Sequence, residues 1–505
     1  MRVGTNNCSL IECENHKGVY GVKRLIKNLS SGIRALLKTM LFCGCLIIPL
    51  TGYQSLADDR LAERQHTGRW SVEESKGWHE KQPWLVGCNF IPSTAINQLE
   101  MWQADTFDPE TIDRELGWAA GIGFNAVRVY LHDLAYDQDP DGFLQRMDRF
   151  LRIADAHGIK TLFVIFDDCW LAEPKAGKQP EPWPGVHNSG WLESPGLPQL
   201  KRYPTDSDLR RRLEKYVKAV LIRFRQDKRV LMWDLYNEPG GWWYLRREKP
   251  GSFKRGLTDA LCLPLLQDVY RWARSVNPSQ PLTSCWNRGA YEVEAALKWA
   301  DVVTFHCYGD VASLENLIRN LQQGAPNRPI ICTEYLWRNG GSRFQTHLPV
   351  FRRYQIGAIN WGLVAGKSNT IWGWESWNHP GTEEPKVWHH DILRKDGTSY
   401  DEDEVTFIRS ITNQGWEAQH DSTAAAEAAE PYTAYLMAYF GPEERLFYSW
   451  SRDARNWTAL NGGKPVFDPG VRLRDPFVQC VNGQFHLVHT KGWDHPTIFH
   501  WNRPT

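Results

Sequence analysis

Between residues 84 and 364 the chain alternates short apolar runs with longer amphipathic stretches, and this repeat restricts the fold more than any other feature. The runs are Trp84–Pro92, Phe124–His132, Lys160–Asp168, Val230–Pro239, Pro281–Asn287, Val302–Gly309, Pro329–Leu336 and Gly357–Val364, eight in all. Strands that are apolar at nearly every position are covered on both faces, and helices between them make the crossovers parallel. Eight βα units predict an α/β fold, the (β/α)8 barrel, also called a TIM barrel. The intervening segments carry helix-end signals. Asp108 before Pro109 and Glu110 opens a helix over Asp108–Ala120, Gly142–His157 precedes Gly158 as a C-terminal stop, and Ser207–Phe224 is strongly amphipathic. Asp401–Ile411 is the expected closing helix.

The barrel is expected over residues 80–412, with an export signal over 1–57 and an N-terminal extension over 58–79. Lys23, Arg24, Lys27, Arg34 and Lys38 form a basic lead, Met40–Leu50 is an eleven-residue apolar run, and Ser55-Leu56-Ala57 suits a signal peptidase. A bilayer span takes about 20 residues, so cleavage after Ala57 and release is favoured over a membrane-anchored N-terminus, and the mature chain is expected to have no membrane span. Lipid attachment at Cys45 and a start at Met40 are weaker alternatives. Residues 413–430 read as a linker, and 431–505 as antiparallel strands divided by Gly-Pro, Asn-Gly-Gly and Asn-Gly turns.

Composition narrows the partners. Lys+Arg and Asp+Glu both number 59, which argues against nucleic acid, since such binders carry a basic surplus. Trp is abundant, 25 of 505 residues, more than a core needs, so some of these rings are expected on a surface that binds flat apolar faces such as those of sugars. Eleven Cys do not make a disulfide framework, because Cys8, Cys13, Cys43 and Cys45 fall in the leader and the remaining count is odd. Cys88, Cys285, Cys307 and Cys332 read as small buried hydrophobes.

The chemistry concentrates at strand ends. Glu238, between Asn237 and Pro239, closes the fourth run, and Glu334 stands near the end of the seventh. Strands four and seven are not neighbours in an eight-stranded barrel, so these carboxyls face each other across the mouth. Glycoside hydrolysis with retention needs two carboxyls about 5–5.5 Å apart, one protonated above the leaving oxygen and one ionised below the anomeric carbon. Along the sixth strand His306 and Tyr308 share one face, and Phe305 and Cys307 the other. Arg128, between Val127 and Val129, requires a buried partner, for which Glu334 is suited. Asp168 is as readily a loop cap as a site residue. His389-His390-Asp391 is read as a loop contact rather than a metal cluster, since adjacent His side chains rarely converge. Trp242, Trp243, Trp286, Trp337, Trp372 and Trp374 follow strand ends, where they can form sugar subsites or pack loops.

Asn237-Glu238-Pro239, Thr333-Glu334-Tyr335, Arg128 in Val-Arg-Val-Tyr, His306-Cys307-Tyr308 and Trp361 together resemble clan A retaining glycoside hydrolases, most like family 5, over roughly residues 80–412. The resemblance implies Glu238 as acid/base, Glu334 as nucleophile and Asn237 as donor to the sugar 2-hydroxyl. It further implies that Arg128 and Tyr308 orient the nucleophile, that His306 bonds near the acid/base, and that Trp361 is the platform beneath the reacting sugar. Family 5 commonly has a His near the end of strand three, where this chain has Asp167-Asp168. His132 is the candidate to take over that sugar contact. Residues 431–505 resemble the first blades of a family 43-type five-bladed propeller, with Asp475 at the position of a catalytic base and the later blades missing, which is read as a truncation rather than a remnant.

The expected activity is hydrolysis of a β-linked plant-type polysaccharide, hemicellulose or β-glucan, with endo-β-1,4 action and no metal or organic cofactor. A carbohydrate-binding protein without hydrolysis and a transglycosylase are the alternatives.

Overall fold

The structure is a computed structural model, and it describes residues 68–245, 254–257, 259–285, 295–413, 435–440, 445–451, 456–465, 474–481, 484–490 and 498–504. The expected export signal and most of the expected linker lie outside the described residues. The chain divides into two compact units, and the barrel occupies the one that runs to Ala418.

Eight parallel strands form the barrel: β1 (Val86–Asn89), β2 (Ala126–Tyr130), β3 (Lys160–Val164), β4 (Val230–Asp234), β5 (Leu282–Thr283), β6 (Val303–His306), β7 (Ile330–Glu334) and β8 (Gly357–Trp361). The ladder runs β5-β4-β3-β2-β1-β8-β7-β6. The seam between β5 and β6 is bridged by Asp301, whose N–H donates to the Leu282 carbonyl at 2.8 Å and whose carboxylate accepts from the Leu282 N–H at 2.8 Å. The (β/α)8 expectation therefore holds, with strands shorter than the apolar runs that predicted them.

Alternation along the strands sorts side chains into two cores. Ala126, Tyr130, Leu162, Val164, Met232, Ile331, Ile359 and Trp361 cluster inside the barrel, whereas Val127, Val129, Phe163, Trp233, Val303, Phe305, Ile330 and Cys332 join the larger cluster with the helices. Arg128 shares the inward parity of Ala126 and Tyr130, which explains a guanidinium in so apolar a strand. On β7 the same rule would send Glu334 outward with Ile330 and Cys332. It does not, because the β6–β7 register shifts between Cys332 and Glu334, pairing Cys332 with Phe305 but Glu334 with His306. This irregularity re-aims one side chain into the mouth.

The helices begin where capping residues stand. Pro109–Gly121 starts on Asp108, whose carboxylate accepts from the Thr111 N–H, and Ser207–Phe224 starts on Asp206. The helix expected from Gly142 begins earlier, at Pro140, because Asp139 caps it and proline suits the first helical position. Of the extension expected over 58–79, the described residues 68–79 are tied to the barrel: helix Val72–His79 is preceded by Arg69, which donates to the Ala300 and Leu297 carbonyls, while Arg328 donates to Ser75 and the Trp70 carbonyl.

The long excursion after β3 contains strand Trp170–Leu171, which pairs with Trp242–Leu245 beyond β4, and that strand pairs with Lys254–Leu257. Loops three and four are thus joined into one small sheet beside the mouth.

The second unit is antiparallel, as expected. Its described strands form two three-stranded sheets, Tyr435–Phe440, Leu446–Ser451 and Thr458–Ala459 in one, and Arg474–Val481, Gln484–Thr490 and Ile498–Pro504 in the other. Blades of a propeller were expected, a resemblance that two sheets of three described strands do not support. Asp475 lies on the first strand of the second sheet.

Candidate active site

Arg128 is fully buried and organises the strand ends around it. Its guanidinium donates to Glu334 Oε1 at 2.8 Å, to Asp234 Oδ2 at 2.7 Å, to Asn237 Oδ1 at 2.6 Å, to Asn89 Oδ1 at 2.9 Å and to the Tyr130 hydroxyl at 2.5 Å. One side chain thereby connects β1, β2, β4, the loop after β4, and β7. Burial opposes the charge on Arg128, but Tyr130, Asp234 and Glu334 outweigh it and hold the guanidinium protonated.

Glu334 is surrounded by donors. Its Oε1 also accepts from the Tyr130 hydroxyl at 2.7 Å, and its Oε2 from the Tyr308 hydroxyl at 2.7 Å. Burial, and for Tyr308 the adjacent Glu334, push both phenols well above their ordinary range, so they act as donors. A carboxylate held at both oxygens has a fixed orientation.

Glu238 faces it. His306 Nδ1 lies 2.6 Å from Glu238 Oε1 and 3.3 Å from Glu334 Oε2, and the nearest ligand atoms of all three residues fall within 4.8 Å of one another. The Cys169 thiol, kept protonated by burial and by Glu238, donates to Glu238 Oε2 at 3.1 Å. Glu238 adopts φ 43°, a left-handed conformation that costs a non-glycine residue about 1 kcal/mol or more. Asp168 supports this turn from behind. Its carboxylate accepts from the Gly240 N–H at 2.8 Å and from the Tyr236 hydroxyl at 2.7 Å.

The geometry chooses between the two readings of Asp168 and goes against the one for His132. Asp168 is 1 % exposed and fastens the loop that carries Glu238, so of its two readings the loop cap is the one the structure supports. His132 is wholly buried, and its Nδ1 accepts from the Leu134 N–H to cap the helix Asp133–Gln138, which leaves it no surface for a sugar. Asp167, the neighbour of Asp168, joins the site instead: it accepts from Asn237 Nδ2 at 2.9 Å and from Trp191 Nε1 at 2.7 Å. Those contacts fix the Asn237 amide, with its oxygen on Arg128 and its nitrogen on Asp167.

Sequence reasoning missed Asn89, Tyr130, Asp167, Cys169 and Asp234. Tyr130 was legible in period two, two residues beyond Arg128 on the same face. Asp234 was equally legible, at the end of an apolar strand where only a buried partner explains a carboxylate.

Trp361 pairs in register with Asn89 and retains 8 % exposure. Tyr130 and Trp191 meet it edge-on, with ring centroids 5.7 and 5.2 Å away, and the three line one recess with Asn89 and Gly362. Trp374 is half-buried and packs edge-on against Tyr308 at 5.2 Å and tilted against Trp337 at 5.0 Å. The side chains of Trp242, Trp243 and Trp286 fall outside the described residues.

The His389–His390 expectation also requires correction. These rings do converge, with centroids 4.2 Å apart, because the buried pair Arg338–Glu404 draws the segment tight: Arg338 donates to the carbonyls of Trp388, His390 and Asp391. His187, from the loop after β3, joins them. Burial holds His187 down at about 4 and His389 at about 2, and pushes His390 well below the usual range, so all three are neutral.

No protein-family model matches the sequence, and a comparison with curated proteins finds no match. Among solved structures the chain is similar to GH5_18 from Streptomyces cattleya in complex with GlcNAc, at 12 % identity over 69 % of this chain and 80 % of that one, TM-score 0.41. It is similar to an endo-1,4-β-D-mannanase from Thermotoga petrophila RKU-1, at 14 % identity over 66 % and 99 % of the two chains, TM-score 0.40. It is also similar to an exo-β-1,4-mannosidase from Opitutaceae bacterium strain TAV5, at 17 % identity over 65 % and 60 %, TM-score 0.43.

Proposed function

We propose that the protein is a retaining β-glycoside hydrolase acting by double displacement, with Glu334 as nucleophile and Glu238 as acid/base. The observation that carries this reading is the convergence of the two carboxyls on His306, with their nearest oxygens within 4.8 Å. Retention works at about 5–5.5 Å between carboxyls, whereas inversion needs about 6.5–9.5 Å to admit a water.

The roles follow from the surroundings. Arg128, Tyr130 and Tyr308 occupy lone pairs on both Glu334 oxygens and aim the carboxylate for attack on the anomeric carbon. His306 and Cys169 orient Glu238, as suits a group that must give up and regain a proton. In the first step Glu334 forms a bond to the anomeric carbon as Glu238 protonates the departing oxygen. In the second, Glu238 takes a proton from water, which attacks the anomeric carbon and frees Glu334. Asn237 Nδ2 donates to Asp167 and, across 3.8 Å, to the weakly accepting Cys169 sulfur, and the second of these bonds is the one a sugar 2-hydroxyl would replace. Trp361 and Trp374 supply apolar faces at the mouth for sugar rings.

The substrate we favour is a hemicellulose or β-glucan, and the leader sequence supports an exported enzyme. Among the described residues no helix is long and apolar enough to cross a membrane. The test combines a polysaccharide panel, xylan, mannan and β-glucan, with an activated 2-fluoro glycoside of the sugar that is cleaved. Reducing sugar should be released from one member, and peptide mapping should find the label on Glu334. Label elsewhere, or undiminished turnover in Glu334→Gln, overturns the assignment.

A further inference from the structure

We propose that His187, His389 and His390 form a site for a divalent transition metal, Zn2+ being the ion whose ligand preference they match. The site lies apart from the Glu238–Glu334 pair and does not depend on the hydrolase reading.

Three observations converge. First, the three rings offer nitrogen atoms that all lie within 4.8 Å of one another, although His187 follows β3 and the other two follow β8. Second, two tautomers are fixed by acceptors that cannot donate. His187 Nδ1 lies 2.8 Å from the Trp372 carbonyl and His390 Nδ1 2.5 Å from the Leu336 carbonyl, so each Nδ1 carries the proton and each Nε2 presents a lone pair. Metal-bound histidines are oriented in this way, by an N–H donated to a backbone carbonyl. Third, His389 is 1 % exposed, and neither of its nitrogens has a hydrogen-bond partner. A buried imidazole with both nitrogens unsatisfied is costly and requires an explanation such as a bound ion.

The distances suit a small contraction. Three nitrogens at the 4.8 Å bound place a central ion about 2.8 Å from each, and closing every ring by about 0.7 Å reaches the roughly 2.0–2.1 Å of a zinc–imidazole bond. Three neutral nitrogens with water in the fourth position fit zinc, while calcium and magnesium prefer oxygen ligands. Arg338 brings a positive charge to this segment, but Glu404, 2.5 Å from it, balances that charge. Once filled, the site would join the loops after β3 and β8. His389 lies 4.7 Å from the Trp374 ring and His390 5.6 Å from the Tyr308 ring, so the ion would stiffen the wall of the mouth that carries these aromatics.

The experiment uses the full chain without an affinity tag, stripped by chelation and titrated with Co2+ and then Zn2+. We expect one equivalent of Co2+ to give the visible absorption of a four-coordinate nitrogen site, Zn2+ to bleach it, and Tm to rise with Zn2+ concentration. In His389→Leu the absorption should vanish and affinity fall more than about 100-fold. The metal-free Tm of that variant should match or exceed wild type, since the substitution removes an unsatisfied buried group, which separates ligand loss from misfolding. The second control is His306→Gln at the other histidine and carboxylate cluster, Glu238–His306–Glu334, where binding should be unchanged. No absorption and no Tm response in the wild type overturns the proposal and leaves an ordered water as the partner of His389. Loss of binding in His306→Gln with retention in His389→Leu overturns it in favour of the mouth.

Discussion

Glu334 stands in register with His306, and it does so because β7 gains one residue on β6 after Cys332. Without that shift the carboxylate would follow Cys332 into the helix layer. The place of Glu334 in the mouth thus depends on a local irregularity at the end of one strand.

Glu238→Gln keeps the size and the His306 contact but removes the exchangeable proton. Hydrolysis of the natural linkage should fall by about 10²–10⁴-fold. A substrate with a strongly activated aryl leaving group needs little protonation, so its first step, followed as a burst of aryl alcohol, should be much less affected.

Tyr130→Phe deletes one donor to Glu334 Oε1 and leaves the ring in place between Trp191 and Trp361. Hydrogen bonds to charged groups contribute about 1.5–3 kcal/mol, so kcat should drop by about 10- to 100-fold. KM and the urea midpoint should hardly move. A loss of stability without a loss of kcat would show the phenol to be scaffolding.

Arg128→Met should be far more disruptive to the fold. It leaves Asp234 buried without its guanidinium, and breaking a buried pair by removing one partner costs about 3–5 kcal/mol. Denaturant titration should show that loss, and Asp234→Asn introduced into the same background should restore part of it.

Acid sensitivity should have a contribution from His347. Burial lowers it to about 4, against the ordinary 6.5, while its Nε2 lies 3.0 Å from the Gly309 carbonyl. Between these values the unfolded chain binds the proton and the folded one does not. Its contribution is therefore intact above pH 6.5, is lost as pH falls towards 4, and reaches about 3 kcal/mol. His347→Gln should flatten the slope of stability against pH in that window, measured by urea unfolding at successive pH values.

The barrel was legible because its signals are local. Runs such as Phe124–His132 and caps such as Asp108 carry their own periodicity or end chemistry, and the structure trims the runs by a few residues. That Arg128 needs a buried partner followed from Val127 and Val129, and Tyr130, two residues on along the same strand face, could have followed by parity. Parity alone would have misdirected Glu334, since the shift after Cys332 has no sequence signature; its place at the end of a strand across the barrel from Glu238, not periodicity, supplied its direction. Asp168 was the candidate and its neighbour Asp167 was not, because only the three-dimensional turn at Glu238 separates their roles. His187 was beyond reach, because a loop histidine has no local sign that it will meet two others from the opposite end of the barrel sequence.

The contacts of Arg128 have a consequence for how activity arises. Asn89, Tyr130, Asp234, Asn237 and Glu334 come from both halves of the strand sequence, so a partly assembled barrel could hold the guanidinium but not the complete ring of groups around it. Closure of the last strands and assembly of the site are therefore one event. During refolding, turnover should return with the slowest phase seen by any probe, and a population that hydrolyses substrate is a population that has finished folding.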